Sequence, residues 1–431
     1  MNMMRRSSAY RIALCIVAAV LSFAAVASAK VTLNMVTHWN TGVSQGALLK
    51  KFIEEYNSMQ DEVEVVLSAD PSNSQISRIL VWAAGGVLPD ILPLSQVVIP
   101  DLVAAGIIQP LSGDALARAE DEFLPGALQL VTYEGKVWGY PTENMPNALS
   151  YDTVEFGNRG VSTDFPDTWD EVVQIARVLT TYNADGSIQK AGLGWATGFR
   201  ENIGFLMSQV WGGDGELFSA DLRRVTLLNE TVLNAVELFR QIARESGVVR
   251  LGGPHTHEQQ VIRITPGPYV RGTILAADPQ RLNEIRTAPM PVGPSGKRVV
   301  ANYGWAITMT STTQYPKEAQ AFLDWLLSDI QPSTGTTRMG DIMAVLGSIP
   351  NTRADIANQP FAQEAFMQGY LIPMATNEVR SWPMVPNSSE VYRLLNLHLN
   401  SVLNGAAAPL QALTNAQTEI QAVIDQAVAG N

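Results

Sequence analysis

Three stretches hold residue types that could do chemistry. Gly42-Val43-Ser44-Gln45-Gly46 fits the G-x-S-x-G pattern of a serine-hydrolase elbow. His255-Thr256-His257-Glu258 sets two imidazoles beside a carboxylate, a spacing that can converge on a metal only from an extended backbone. Glu143 lies near Trp138 and Tyr140, as a glycosidase carboxylate would, but that chemistry needs two carboxylates roughly 5–10 Å apart. An elbow also requires the strand to run straight into the serine and the helix to start directly after it. Here His38-Trp39-Asn40-Thr41 separate the strand-like KVTLNMVT from Gly42, which leaves the turn slack. Of the four histidines, His38, His255 and His257 lie in early or loop-like positions and His398 in a helical pattern. Nothing near His257 completes a tetrahedral set, so no catalytic residue, metal or cofactor is expected. Ser44 is expected in a ligand-holding loop at the C-terminal end of the first strand, where open α/β sheets bind their ligands.

The aromatic residues point the same way. The chain has 9 tryptophans, several of them beside Gly, Asn or Pro rather than inside apolar runs: HWNTG, GLGWATG, NYGWAI and RSWPMVP. Trp169 and Trp325 fit helices and read as core. Sugars present apolar C–H faces for stacking and hydroxyls for hydrogen bonding, so aromatic platforms set among Asn, Gln, Asp, Glu and Arg suit a saccharide cleft.

The elements that must position these residues alternate. Strand-like 30–37 precedes helical 46–57; strand-like EVEVVL (62–67) precedes helical 75–84; DILPL (90–94) reads as a short buried strand. This order predicts α/β architecture with a parallel sheet. Glu134-Gly135-Lys136 is a hairpin turn, 148–151 a further strand, and 167–180 a helix with an acid-rich start. Helices are expected at 231–245, 315–327, 394–403 and 410–429. The segment 251–268, rich in Gly, Pro and His, is expected to loop over the surface, and 289–297 to be extended.

With 431 residues, 46% hydrophobic and 16% charged, the chain exceeds what one core accommodates, so two lobes are expected. Residues 1–29 read as a cleaved secretory signal. Arg5, Arg6 and Arg11 precede an apolar run of about 16 residues, short for a membrane span, and Ala27-Ser28-Ala29 suits cleavage. Cys15, the single cysteine, follows Leu14 rather than a small residue, so a lipid anchor is not expected and the mature chain would hold no disulfide. Loss of three arginines with the signal takes the net charge from −12 to −15, which argues against nucleic-acid and anionic-membrane partners.

Five motifs in order resemble the family 1 extracellular solute-binding proteins of ABC importers, which include maltose-, oligosaccharide- and glycerol-3-phosphate-binding proteins. They are Gly86-Val87-Leu88-Pro89-Asp90-Ile91; the crossover YEGKVWGYPTENMPNALSYD (133–152); Phe165-Pro166-Asp167-Thr168-Trp169-Asp170-Glu171; the stretch 289–327; and Ser348-Ile349-Pro350-Asn351-Thr352-Arg353. Two departures stand out: Tyr151-Asp152 where the family often has Tyr-Asn, and VIRITPGPYVRG (261–272) where it has A-M-x-x-x-G. The resemblance implies a two-lobed periplasmic-binding-protein fold with hinge crossovers, lobe one spanning 30–140 and 303–345 and lobe two 141–302 and 346–431. It also implies a monomer in the periplasm that closes on a small-molecule ligand, here expected to be a carbohydrate, and delivers it to the transmembrane subunits of an ABC permease. The cleft residues it implies are Trp39 and Asn40, Asp70 and Asn73, and Ser95 and Gln96 after the first three strands. Glu143, Asn144, Tyr303 and Trp305 follow at the crossovers, and Trp195, Tyr269, Arg380 and Trp382 in the remaining segments. A binder of a polyamine or sugar phosphate, or a secreted hydrolase, is the alternative.

Overall fold

A computed structural model describes residues 30–70, 75–252 and 256–430. The expected signal segment 1–29, Asn73 and His255 lie outside the described residues. Two sheets carry the fold. The first takes β1 (Val31–Thr37), β2 (Val63–Ala69), β3 (Ile91–Ser95), β6 (Tyr140–Pro146), β13 (Val300–Met309) and β14 (Val379–Ser381). The short pair β4 (Thr132–Tyr133) and β5 (Lys136–Val137) flanks the Glu134-Gly135 turn, as expected. The second sheet takes β7 (Ala148–Asp152), β8 (Thr181–Tyr182), β9 (Ile188–Trp195), β10 (Val249–Leu251), β11 (Gln260–Thr265) and β12 (Ile285–Pro289).

The sheets share a plan. In the first, β1 pairs parallel with β2 and β3, and β13 lies antiparallel to β3. In the second, β9 pairs parallel with β10 and β11, and β7 lies antiparallel to β11. Helices bury one apolar face on each. Ser44–Met59 buries Leu49, Phe52, Ile53 and Tyr56. Trp169–Leu179 buries Trp169, Val172, Ala176 and Leu179. That helix starts on a reciprocal cap: the Thr168 hydroxyl donates to the Glu171 carboxylate at 2.6 Å and accepts from the Glu171 amide at 3.4 Å.

Three of the chain segments that link the sheets meet at one place. Asn147 alone separates β6 from β7, and its amide donates to the Ala301 carbonyl at 3.0 Å. The second link runs from β12 into β13. The third bridges Ile349 to Asn144. Residues 346–431, expected in lobe two, include β14, which pairs with β13 in the first sheet. Among the described residues no helix is long and apolar enough to cross a membrane.

One element differs from expectation. Within 251–268, β11 is a buried central strand of the second sheet. Its VIRIT sequence has the β-branched character of a strand, and only the preceding Gly-Gly-Pro-His is loop-like. The tight turn after β11 depends on Gly267, whose φ is +134° and where a Cβ would come within 2.7 Å of the Met145 side chain.

Candidate functional site

The site is built on the period-2 alternation of two paired strands. Glu143 and Met145 share one face of β6, and Tyr303 and Trp305 share one face of β13. Glu143 stands opposite Trp305 across the ladder, and Met145 opposite Tyr303. On its other edge β13 sets Trp305 opposite Ser95, the last residue of β3. The C-terminal end of β1 then delivers His38 and Trp39 onto this face.

His38 stacks on Trp305 with ring centroids 3.9 Å apart and planes 10° from parallel. Its Nε2 lies 2.8 Å from Glu143 Oε1, and the Trp39 indole N–H donates to that same oxygen at 3.2 Å. Glu143 is buried, and these are its only hydrogen bonds among the described residues. Its Oε2 therefore keeps its accepting capacity. Trp305 is partly exposed, whereas Trp39 is buried.

The second sheet faces this cluster with Arg200 and Tyr269. Arg200 is the second residue of the helix Phe199–Trp211, which follows β9, and Tyr269 follows β11. The guanidinium lies 5.0 Å from the Tyr269 ring centroid and 5.9 Å from that of Tyr303, and donates to Met145 Sδ at 3.4 Å. Glu143 lies within electrostatic reach of Arg200, Tyr269 and Tyr303. Burial pushes the Tyr269 and Tyr303 phenols up, so both remain donors at neutral pH. Burial also raises the Glu201 carboxyl, against the pull of its own backbone amide and of Arg200 and Arg263.

The expected site residues separate into those this cluster gathers and those it does not. Trp39, Glu143, Trp305, Tyr269 and Tyr303 come together, with Ser95 hydrogen-bonded to the Tyr303 side chain. Asp70 lies beside His38 in a small recess with Trp82, and pairs with Arg78 at 3.1 Å. Asn40 is exposed and its Oδ1 accepts from the Gly42 amide at 2.9 Å, shaping the loop.

Five expectations are corrected. Trp195 is fully buried between Phe205 and Phe239, its indole donating to Asn202, so it belongs to the core of the second lobe. Trp382 is buried against Phe199, Tyr303 and Tyr392 and supports Tyr303 from behind. Gln96 is buried too, donating to the Trp382 carbonyl at 2.7 Å. Asn144 points to the opposite face of β6 from Glu143 and is buried where the three links meet. Arg380 forms a two-pronged ion pair with Glu216, at 2.7 and 3.0 Å, and lies over Trp211 on the surface.

Ser44 is exposed at the first turn of its helix and has no histidine hydrogen-bonded to it among the described residues. Gly46 is explained by packing instead: a Cβ there would sit 2.1 Å from the Asn40 carbonyl oxygen. His257 is buried with Nε2 3.2 Å from Ser150 Oγ, and burial holds its pKa well below the usual imidazole value. Among the described residues no group of three or more His, Cys, Asp or Glu could hold a metal. Arg200 and Met145 were not foreseen. In sequence Arg200 is marked only as a cation directly after a Gly-Phe helix start that follows a strand (GWATGFREN), which does not place it beside Tyr303.

Two α/β lobes whose linking segments meet at one place, with polar and aromatic side chains from both meeting at strand ends, define a cleft-binding protein. The chain belongs to the bacterial extracellular solute-binding protein family, whose model matches residues 40–255 and 264–331. Solved structures repeat the fold over almost the whole chain. Maltose-bound MalE3 of T. maritima is 20% identical, covering 91% of this chain and 99% of its own, with a TM-score of 0.73. The GacH receptor of Streptomyces glaucescens GLA.O is 17% identical over 92% and 99%, with a TM-score of 0.76. The sugar-binding protein MalE of Xanthomonas citri is 16% identical over 92% and 98%, with a TM-score of 0.74.

Proposed function

We propose that this protein binds a saccharide or sugar-like polyol between its lobes, without catalysis, and presents it to the membrane subunits of an ABC importer. The observation that carries this reading is the cluster of Trp305, stacked on His38, beside a Glu143 carboxylate with a free oxygen, opposed by Tyr269 and Arg200 from the other lobe. Such a surface offers an aromatic plane for a sugar face and acceptors and donors for its hydroxyls. MalE3, GacH and MalE of X. citri, whose printed descriptions name maltose, acarbose or sugar as ligand, lend this reading support. A polyamine fits less well, because Asp70 already pairs with Arg78 and Arg200 brings a positive charge to Glu143.

A ligand touching both lobes binds the closed form more tightly than the open one and shifts the population toward it by that difference. The proposed lobes are those built on the two sheets; β6 and β14 go with the first, although residues 141–302 and 346–431 were expected in the second. The protein acts as a monomer in the periplasm after loss of residues 1–29, and the closed form is what the permease recognises.

The test is thermal unfolding of residues 30–431 against mono- and oligosaccharides, polyols, sugar phosphates and polyamines. A ligand at a hundredfold excess over Kd adds about 2.7 kcal/mol. At about 2.1 cal/mol/K per residue over roughly 400 residues, this raises the midpoint by about 3 °C. A shift with one saccharide class, with the ligand recovered unchanged, supports the proposal. A shift with polyamines alone, or consumption of the ligand, overturns it.

A further inference from the structure

Arg200 is a cation held at the cleft without a direct ion pair among the described residues. Among the described residues no carboxylate comes within 4.0 Å of it, and its one hydrogen bond goes to the Met145 thioether. Arginines of comparable burial elsewhere are paired. Arg271 donates to both oxygens of Glu364 at 2.6 and 2.5 Å, and Arg281 donates to Asp152 at 2.6 Å. A guanidinium carries five donors, and leaving it half-buried with only a sulfur acceptor is unfavourable unless another partner arrives. The two tyrosine rings hold its position without using those donors.

A second guanidinium, also within electrostatic reach of Tyr269 and Glu201, belongs to the same lobe. Arg263 on β11 is partly buried near Tyr269 and Glu201, and its Nε has no partner among the described residues. Burial raises the Glu201 carboxyl, and no oxygen of it comes within salt-bridge distance of Arg200. Glu143 already accepts from His38 and Trp39. The Arg200 guanidinium therefore has no ion-pair partner, and Glu143 and Glu201 act on it only from beyond salt-bridge distance. The overall negative charge of the chain does not cancel this, since exposed charges more than about 8 Å away are largely screened at physiological salt.

We infer that the ligand is an anionic saccharide, whose carboxylate or phosphate is bound by Arg200 while a sugar ring packs against the aromatic residues of the cleft. This rests on the saccharide-binding reading above and narrows its substrate class. A planar carboxylate or a phosphate oxygen pair matches the guanidinium fork, which a neutral hydroxyl cannot do.

The experiment is calorimetric titration of residues 30–431 with matched pairs: a uronic-acid disaccharide and its neutral parent, and a hexose phosphate and its neutral hexose. The expected result is roughly 10- to 100-fold tighter binding of an acidic member than of its neutral partner, weakening as salt is raised. Arg200→Gln should abolish that preference, and Arg200→Lys should retain part of it. The pair that responds tells carboxylate from phosphate. Neutral sugars bound as tightly as acidic ones, or a preference that survives Arg200→Gln, would overturn the inference and leave saccharide binding standing. No binding by any acidic or neutral sugar would overturn both.

Discussion

Replacing Glu143 separates its structural role from its binding role. Its Oε1 accepts from His38 at 2.8 Å and from the buried Trp39 indole at 3.2 Å. Glu143→Ala strands the indole N–H, at a cost of about 1–3 kcal/mol, while His38 keeps partial access to water. With about 0.8 kcal/mol/K of unfolding entropy for roughly 400 residues, the ligand-free midpoint should fall by about 1–4 °C. Glu143→Gln keeps an acceptor and the volume, so its midpoint should fall by less than about 2 °C. The same change removes the charge that Oε2 offers to a ligand hydroxyl. A hydrogen bond to a charged group contributes about 1.5–3 kcal/mol against about 0.5–1.5 for a neutral one, so Glu143→Gln should weaken binding by about 1–1.5 kcal/mol, roughly 5- to 15-fold. Differential scanning fluorimetry gives the first quantity and titration calorimetry the second. If Glu143→Gln binds within about twofold of the parent while losing stability, Glu143 is only a structural acceptor and the site is misplaced.

Other expectations follow from particular contacts. Burial raises Asp101 to about 6 despite hydrogen bonds from Ser389. Folding therefore favours its protonated form: that contribution is complete below the unfolded value of about 3.9 and is lost as pH rises through about 6. Asp101→Asn should raise stability by about 2–3 kcal/mol at pH 8 and leave it unchanged near pH 4; an equal gain at both, measured by urea unfolding, would contradict this. Gly192→Ala would set a Cβ 1.9 Å from the Ala176 carbonyl oxygen, so the helix Trp169–Leu179 must move off β9. A loss of about 1–3 kcal/mol or more is expected in the same assay. Ser44→Ala, at an exposed helix start, should leave ligand affinity within about threefold, because surface changes of this kind stay near ±0.5 kcal/mol.

Much of the fold was legible because strands such as VTLNMVT and EVEVVL show their pattern within a few residues. The crossover at 133–152 was legible through its turn and its aromatics. β11 was missed because the Gly, Pro and His before it outweighed five strand-like residues. Glu143, Tyr303 and Trp305 could be placed together from the sequence because each lies on a crossover strand whose alternation aims it at one face. Trp195 and Trp382 were misread for a shared reason. Gly194 beside one and Pro383 beside the other suggested open loops, yet Gly194 is where the Gln260 side chain crosses β9, within 1.9 Å of where a Cβ would be. Arg200 could not be found from pattern alone, since only the tertiary fold brings the start of its helix to Tyr303 and Met145. Arg380 and Glu216 are 164 residues apart, so their pairing was equally invisible.

The central claim is that a saccharide is held at Trp305 between the lobes. Titration calorimetry of the parent and of Trp305→Ala, with a saccharide that stabilises the parent, tests it most directly. The account predicts one site per chain in the parent, a negative heat-capacity change from apolar burial, and at least about tenfold weaker binding in the variant. Equal affinity in the two proteins, or more than one site, would contradict it.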